Sequence, residues 1–213
     1  KRNTIKELKN LATRKSSENI LKDLSKDLTL LIGGSADLSG SNNTKTENQK
    51  IITPGKFNGN YIHYGVREHA MASIMNGLAL HSFLIPYGGT FLVFSDYCKP
   101  SIRLSAMMRQ RVIYVMSHDS IGLGEDGPTH QPIEHLNGLR SIPNLNIFRP
   151  CDTTETIECW ELALTQKNKP SIISLTRQNL GQLRTVFEDK NLCSFGAYEI
   201  FRSAENIEIT LMA

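Results

Sequence analysis

Val112-Ile113-Tyr114-Val115-Met116 is the feature that most constrains the fold of this chain. Five consecutive apolar residues, most of them β-branched or aromatic, are typical of a strand that is covered on both faces, as in a parallel sheet. Segments with strand and helix patterns alternate along the rest of the sequence, and that order favours a parallel sheet with helices around it. We therefore predict an α/β fold with a mostly parallel central sheet covered by helices on both faces, the crossovers being right-handed.

The predicted elements follow from apolar periodicity. The expected helices lie at Lys6–Leu28, Glu68–His81, Ile102–Met108 (with Pro100 in or before its first turn), Ile133–Leu139 and Thr153–Thr165. The other strands are expected at Leu30–Ile32 (ended by Gly33-Gly34), Tyr61–Tyr64, Phe83–Tyr87, Leu145–Phe148 and Ser171–Leu175. Ser39–Gly59 is polar and is predicted to be a long loop.

The C-terminal part changes character. Gln178–Ser194 has little periodicity and indicates a linker, whereas Ala197–Phe201 and Ile207–Leu211 have strand patterns. We predict a main domain at 1–180, a linker at 181–196 and the start of another domain at 197–213. The chain begins at Lys1 and stops inside a predicted strand, so we expect it to be a fragment of a longer protein.

Composition narrows the classes of function. The net charge is only +3, with no run of Lys and Arg that would follow a nucleic-acid backbone, and we expect no nucleic-acid partner. No apolar stretch is long enough to span a bilayer, so no membrane association is expected. The four cysteines have no metal-ligand or C-x-x-C spacing, which favours reduced thiols and a cytoplasmic location.

Three loop patterns resemble well-known sites without their context. Gly122, Gly124 and Gly127 fit G-x-G-x-x-G, but five residues separate them from the strand, and acidic residues would face the pyrophosphate. Ser117-His118-Asp119 are adjacent in sequence, which is not the geometry of a hydrolase triad. His118, Asp126 and His130 lack standard metal-ligand spacing, and no metal site is predicted.

Taken singly, the remaining candidates have two interpretations each. Glu68 suits the first turn of a helix, but it could also be a carboxyl held beside a heteroaromatic nitrogen. Phe91, Phe94 and Tyr97 could be core residues or the walls of a pocket for a flat ring. Arg14 and Arg177 could be surface residues or a phosphate clamp.

A series of strings, in order, carries more information than any of these residues alone. They are L-A-T-R-K at 11–15, I-G-G-S-A-D-L-S at 32–39, Y-G-V-R-E-H-A-M at 64–71, P-Y-G-G-T-F at 86–91, H-D-S-I-G-L-G-E-D-G-P-T-H-Q-P-I-E at 118–134, R-P-C-D at 149–152 and R-Q-N-L at 177–180. With these strings the chain closely resembles the middle, pyrimidine-binding domain of the transketolase family over nearly its whole length.

The resemblance implies a role for each matching residue. Glu68 would be the catalytic carboxyl that hydrogen-bonds the aminopyrimidine of thiamine diphosphate. The cofactor would also be bound by Asp37, Leu38, Phe91, Phe94 and Tyr97. Sugar phosphates would be bound by Arg14, Ser41, His118, Asp126, His130 and Arg177.

The resemblance also implies the reaction and the partners. A two-carbon ketol unit would pass from a ketose phosphate to an aldose phosphate, as in the pentose phosphate pathway. The active site would be shared across a homodimer, and Mg²⁺ or Ca²⁺ would be bound by an amino-terminal domain whose Gly-Asp-Gly motif is absent here. The 213 residues alone are then expected to be inactive. A dihydroxyacetone synthase-like enzyme and a non-catalytic dimerisation domain remain the alternatives.

Overall fold

The computed structural model of the protein describes residues 10–81, 83–185, 188–203, 205 and 209–210. The strands of this part are β1 Leu31–Ser35, β2 Tyr61–His63, β3 Ile85–Phe91, β4 Ile113–Ser117, β5 Asn146–Phe148 and β6 Ser171–Leu175. The helices are α1 Thr13–Asp27, α2 Ser39–Asn42, α3 Glu68–His81, α4 Ser95–Met107, α5 His135–Arg140 and α6 Thr153–Thr165.

The strands form one sheet in the order β2-β1-β3-β4-β6-β5, and every pairing in it is parallel. Strand β4 lies inside the sheet, pairing with β3 on one side and β6 on the other, and all five of its residues are buried. A strand so placed can have no polar face, which explains the apolar run in the sequence. The predicted α/β fold with a parallel central sheet is confirmed.

Helices cover both faces of the sheet. On one face, Tyr114 and Met116 of β4 belong to a cluster with apolar residues of α3, α4 and α5. On the other face, Ile113 and Val115 belong to a second cluster with residues of α1 and α6. Alternate side chains of one strand therefore supply two cores, as the two-residue period of a strand requires.

Two helices and one strand have the predicted bounds. Helices α3 and α6 and strand β6 begin and end where the sequence patterns place them. Helix α6 begins at a capping residue, since the Asp152 side chain accepts a hydrogen bond from the Glu155 amide at 2.9 Å.

The glycine pair in β1 was misinterpreted, because the strand continues through it to Ser35. A Cβ on Gly33 would lie 2.3 Å from the phenol ring of Tyr87, and one on Gly34 would lie 2.2 Å from the ring of Tyr64. The two glycines therefore make room for neighbouring aromatic side chains instead of ending the strand.

Other predicted bounds were also wrong. Helix α4 begins at Ser95, so Pro100 is its sixth residue and lies inside the helix. Helix α1 begins at Thr13 and ends at Asp27, while residues 6–9 of the predicted Lys6–Leu28 helix lie outside the described residues. The predicted loop at 39–59 contains the short helix α2.

The segment after β6 packs on α6, and its described residues form no strand. The Asp152 carboxylate accepts the backbone N–H groups of Leu183 and Arg184 at 3.2 and 2.8 Å, and the buried Arg184 guanidinium donates to Glu158 at 2.8 Å. Residues 197–201 are irregular, so the predicted strand there was wrong. Most of the predicted strand Ile207–Leu211 lies outside the described residues.

Two further properties concern the class of protein. No helix in the described part of the chain combines the length and apolar character needed to cross a membrane. All four cysteines are free thiols.

Candidate active site at the carboxyl edge of the sheet

All six strands are parallel, so their carboxyl ends share one edge of the sheet, where α/β domains bind ligands. The predicted site residues lie on the segments that follow β1, β2, β3, β4 and β6, and at the start of α1. The topology therefore brings to one edge residues that are up to 163 positions apart in sequence.

The start of α1 is joined to the end of β6 by reciprocal hydrogen bonds. The Thr13 amide donates to Thr176 Oγ1 at 3.0 Å, and the Thr176 amide donates to Thr13 Oγ1 at 2.8 Å. The next residue in each segment is an arginine, Arg14 and Arg177. The two predicted clamp residues are thus placed beside each other by a short stretch of backbone.

Each arginine has its own partners. Arg14 Nη1 donates to the Ser41 carbonyl at 2.7 Å, which brings together two residues of the predicted phosphate site. Burial lowers the pKa of Arg14, and the neighbouring Arg177 lowers it further. Arg177 donates to Glu125 at 2.6 Å and lies 3.7 Å from the Asp126 carboxylate. The Glu125 side chain is 77% exposed, so an incoming anion can replace it at little cost.

His118 is held firmly at the end of β4. Its ring stacks on Phe91 with 3.7 Å between centroids, and its backbone has a φ of 60°, in the left-handed region that non-glycine residues rarely adopt. Its Nε2 lies 4.0 Å from Asp126 Oδ2. Burial, with the positive charge of Arg14 as the next contribution, lowers the pKa of His118 to about 4. The imidazole is therefore neutral at physiological pH.

The predicted aromatic residues form a row. The rings of Phe91 and Phe94 are stacked at 5.5 Å, and Phe94 lies 5.9 Å from Tyr97. His130 contacts both phenylalanines edge-on, at 5.9 and 5.3 Å. Tyr97 is 64% exposed, so the row extends from the core to the surface and is not simply part of the core.

Glu68 is the first residue of α3 and is 8% exposed. Helix α3 packs against α4, which carries Tyr97 in its first turn. Burial, with the charge of Glu68 as the next contribution, raises the pKa of the Cys98 thiol in α4 to about 12. No donor among the described residues hydrogen-bonds the Glu68 carboxylate. The carboxylate of this largely covered residue therefore remains available to a donor on a ligand.

Asp37 and Leu38 lie on the loop after β1. Asp37 is exposed and has a φ of 62°, and its side chain makes no hydrogen bond within the described residues. The Leu38 amide donates to Ser35 Oγ at 3.1 Å. The structure does not join these two residues to the aromatic row.

Three residues of this edge were not identified from the sequence. Asn42 donates to Ser117 Oγ at 2.9 Å, Ser117 is 2.9 Å from His118 Nδ1, and Glu125 pairs with Arg177. Asn42 and Ser117 are polar residues in a buried setting, but nothing in the sequence distinguishes them from neighbouring polar residues.

Potential metal ligands converge at a different place. Within the described ranges, ligand atoms of Asp96, Glu134 and His135 lie within 4.8 Å of one another. His135 Nε2 is 3.1 Å from Asp96 Oδ2, a hydrogen bond that accounts for their proximity, and both acidic residues are exposed. We assign no ion to this group.

The fold and this edge together define an α/β domain with Glu68, an aromatic row and paired arginines at the carboxyl edge of its sheet. The family model for the pyrimidine-binding domain of transketolase matches residues 9–182. A transketolase of Sinorhizobium medicae is 56% identical over 203 residues, covering 95% of this chain and 29% of the relative. One of Cereibacter sphaeroides is also 56% identical, and the chain covers 31% of its length.

Solved structures agree with the sequence comparisons. A transketolase of Leishmania mexicana matches with a TM-score of 0.81 at 47% identity, covering 84% of this chain and 27% of that one. A transketolase of Pichia stipitis in complex with sedoheptulose 7-phosphate matches with a TM-score of 0.86 at 45% identity, covering 92% and 29%. The chain belongs to the transketolase family and contains its pyrimidine-binding domain. It spans about three-tenths of the length of the curated relatives cited here.

Proposed function

We propose that this chain supplies the pyrimidine-binding side of a thiamine diphosphate site and the clamp for a sugar phosphate. The enzyme would transfer a two-carbon ketol unit from a ketose phosphate to an aldose phosphate, a reaction of the pentose phosphate pathway. Membership of the transketolase family supports this assignment. The single observation that carries it is the arrangement at the carboxyl edge, where Glu68 begins α3, and α3 packs against the helix that carries Tyr97 of the aromatic row.

The aromatic row suits a flat heteroaromatic ring. Phe91 and Phe94 offer parallel faces, and Tyr97 extends this surface outward. A ring packed there would gain stacking contacts and lose its exposure to water. In the proposed site, Asp37 and Leu38 line the cofactor from the loop after β1.

Glu68 would hold a proton at a ring nitrogen of that heteroaromatic group. Since Glu68 is only 8% exposed, a ligand that donates to its carboxylate would displace the little water that reaches it. Thiamine diphosphate, when bound, supplies an electron sink for cleavage of the bond next to the ketose carbonyl. The residues of this chain orient that cofactor and exclude water from it.

The paired arginines would bind the terminal phosphate of the sugar. Arg14 and Arg177 present two guanidinium groups, and Ser41 and the neutral His118 add hydrogen-bond donors. Glu125 would leave Arg177 when the phosphate arrives. Asp126 and His130 are proposed to contact sugar hydroxyls. The Pichia stipitis structure holds a seven-carbon ketose phosphate, which supports a substrate of this class.

A second copy of the protein is the proposed partner. Helices α3 and α4 pack together and leave apolar side chains exposed, including Ile74, Leu80, Leu104 and Met107. A homodimer that covers this surface would bring the carboxyl edge of the sheet against a domain of the partner subunit. That domain would bind the diphosphate with Mg²⁺ or Ca²⁺. The division into a domain at 1–180, a linker at 181–196 and a following domain remains a prediction, as does the cytoplasmic location.

The test is an assay of ketol transfer from xylulose 5-phosphate to ribose 5-phosphate with thiamine diphosphate and Mg²⁺. It uses the complete polypeptide expected to carry this domain, with Glu68→Gln and the exposed Glu47→Gln as a matched control. We expect Glu68→Gln to lose activity by about 10²-fold or more and Glu47→Gln to retain it.

An active Glu68→Gln enzyme would contradict the catalytic role of Glu68. A parent without ketol transfer would favour a non-catalytic dimerisation domain, and preference for formaldehyde as acceptor would favour the dihydroxyacetone synthase alternative. Isothermal titration of the 213-residue chain with thiamine diphosphate and Mg²⁺ should show weak binding. The reason is that this chain supplies only the pyrimidine-binding wall of the proposed site.

A further inference from the structure

A row of buried polar side chains runs from β1 to His118. The Ser35 hydroxyl lies 3.0 Å from Asn42 Oδ1 and 3.0 Å from the Gly89 carbonyl. Asn42 Nδ2 lies 2.9 Å from Ser117 Oγ, and Ser117 Oγ lies 2.9 Å from His118 Nδ1. All four side chains belong to residues that are at most 2% exposed, so water does not compete for these bonds.

The available hydrogens limit how this row can be arranged. Ser117 has one hydroxyl hydrogen, and each nitrogen of a neutral imidazole is either a donor or an acceptor. If the Asn42 amide donates to Ser117, the Ser117 hydroxyl is free to donate to His118 Nδ1, and Nε2 carries the ring hydrogen. If the Asn42 carbonyl accepts from Ser117 instead, Nδ1 must be the donor, and Nε2 is bare.

The groups around Nε2 select the first arrangement. Asp126 Oδ2 lies 4.0 Å from Nε2, and a carboxylate favours a hydrogen on the nitrogen that faces it. Arg14, Arg177 and His130 also influence this imidazole, and each of them disfavours a second, charging proton. The ring is therefore neutral, with its single hydrogen directed toward Asp126.

The geometry of His118 prevents another solution. Its left-handed backbone and the stack on Phe91 fix the plane of the ring, and the bond to Ser117 fixes the rotation within that plane. A ring flip would place carbon atoms where the two nitrogens now lie and would break the bond to Ser117.

We propose that Asn42 and Ser117 are positioning residues that hold His118 as the neutral Nε2–H tautomer, so that Nε2 donates to the phosphate of the substrate. This inference rests on the proposed function for the identity of the ligand. The tautomer itself does not depend on it. A neutral donor suits this position because two arginines already supply positive charge, and a third cation between them would be repelled.

The first test is a long-range ¹H–¹⁵N correlation spectrum of the whole 213-residue chain, labelled with ¹⁵N-histidine, at pH 7. The signal of His118 is assigned by its loss in His118→Asn. We expect Nδ1 to have the shift of a bare ring nitrogen and Nε2 that of a protonated one. The opposite pattern, or a doubly protonated ring, would overturn the proposal without any functional assay.

Variants then test which residues set the tautomer. Asn42→Asp replaces the donor by an acceptor, so the Ser117 hydroxyl turns toward the carboxylate and the ring hydrogen should move to Nδ1. Ser117→Ala removes the link without adding a charge and should give a mixture of tautomers. Asn58→Asp, exposed in the loop before β2, is the control for the change of charge. A His118 spectrum unchanged in both Asn42→Asp and Ser117→Ala would refute the positioning role.

The kinetic test uses the complete enzyme and compares xylulose 5-phosphate with unphosphorylated xylulose. In Asn42→Asp, loss of the hydrogen-bond donor at Nε2 should raise the KM for xylulose 5-phosphate about 10- to 100-fold. The kcat and the KM for unphosphorylated xylulose should stay nearly unchanged. Equal losses on both donors would contradict a role in phosphate recognition. If the enzyme has no ketol-transfer activity at all, the proposed function fails while the spectrum still decides the tautomer.

Discussion

The neutral, buried His118 should make the folded state depend on pH in a measurable way. Its pKa lies at about 4 in the folded chain, below the ordinary value of 6.5 that an unfolded chain would show. Between these two values the unfolded state binds more protons than the folded state, so the free energy of unfolding falls as pH falls through this window. The full contribution is about 3 kcal/mol, of which about 2 kcal/mol is lost between pH 7 and pH 5.

The assay is urea unfolding of the 213-residue chain at several pH values from 4.5 to 7, compared with that of His118→Asn. Asparagine is the appropriate replacement because it tolerates the positive φ of this position. The parent should lose about 2 kcal/mol more than His118→Asn between pH 7 and pH 5. His81→Asn, exposed at the end of α3, is the matched control and should follow the parent. Parallel curves for the parent and His118→Asn would refute the reasoning.

Two further changes concern stability alone. Arg184→Met leaves Glu158 buried without its cation, so urea unfolding should show a free energy of unfolding lower by about 3–5 kcal/mol. Adding Glu158→Leu should recover most of this loss. A double variant as unstable as Arg184→Met would contradict this reasoning. Gly33→Ala forces its methyl group against Tyr87 and should cost about 1–3 kcal/mol. Gly181→Ala, with open space around it, should be close to neutral, and equal melting temperatures for the two glycine variants would contradict the account of β1.

The sequence predicted those elements whose signals are local. Helices α3 and α6 have complete apolar patterns, and α6 also has the capping Asp152, so their bounds were correct. Strand β4 revealed the parallel sheet because a doubly covered strand has an unmistakable composition. In each case the residues that determine the structure lie within the element or directly beside it.

The errors arose where distant residues decide the local structure. Gly33 leaves space for the ring of Tyr87, which lies 54 positions later in the sequence. No residue near Gly33 indicates that the strand continues. The start of α4 was missed because Pro100 was taken as a sign of the first turn. The segment at 197–201 has a strand pattern, but hydrogen bonds to side chains on α6 anchor the stretch before it, and Tyr198 itself bonds to Glu155.

The site shows the same division between local and distant information. The family resemblance indicated a common site for Arg14, Ser41, His118 and Arg177. The structure places these residues on adjoining segments of one edge of the sheet. The resemblance did not reveal the row from Ser35 through Asn42 to Ser117, because that row exists only once β1, α2 and β4 have come together.

The reciprocal hydrogen bonds between Thr13 and Thr176 and the backbone bond from Leu180 to Leu11 join the first and last segments of the domain. Leu11 and Leu180 therefore lie side by side, and the chain after Leu180 continues along α6. The same bonds fix the backbone positions of Arg14 and Arg177, which directly follow Thr13 and Thr176. Because these bonds lie within the domain, Arg14 and Arg177 keep the same relative position whatever segments precede or follow it.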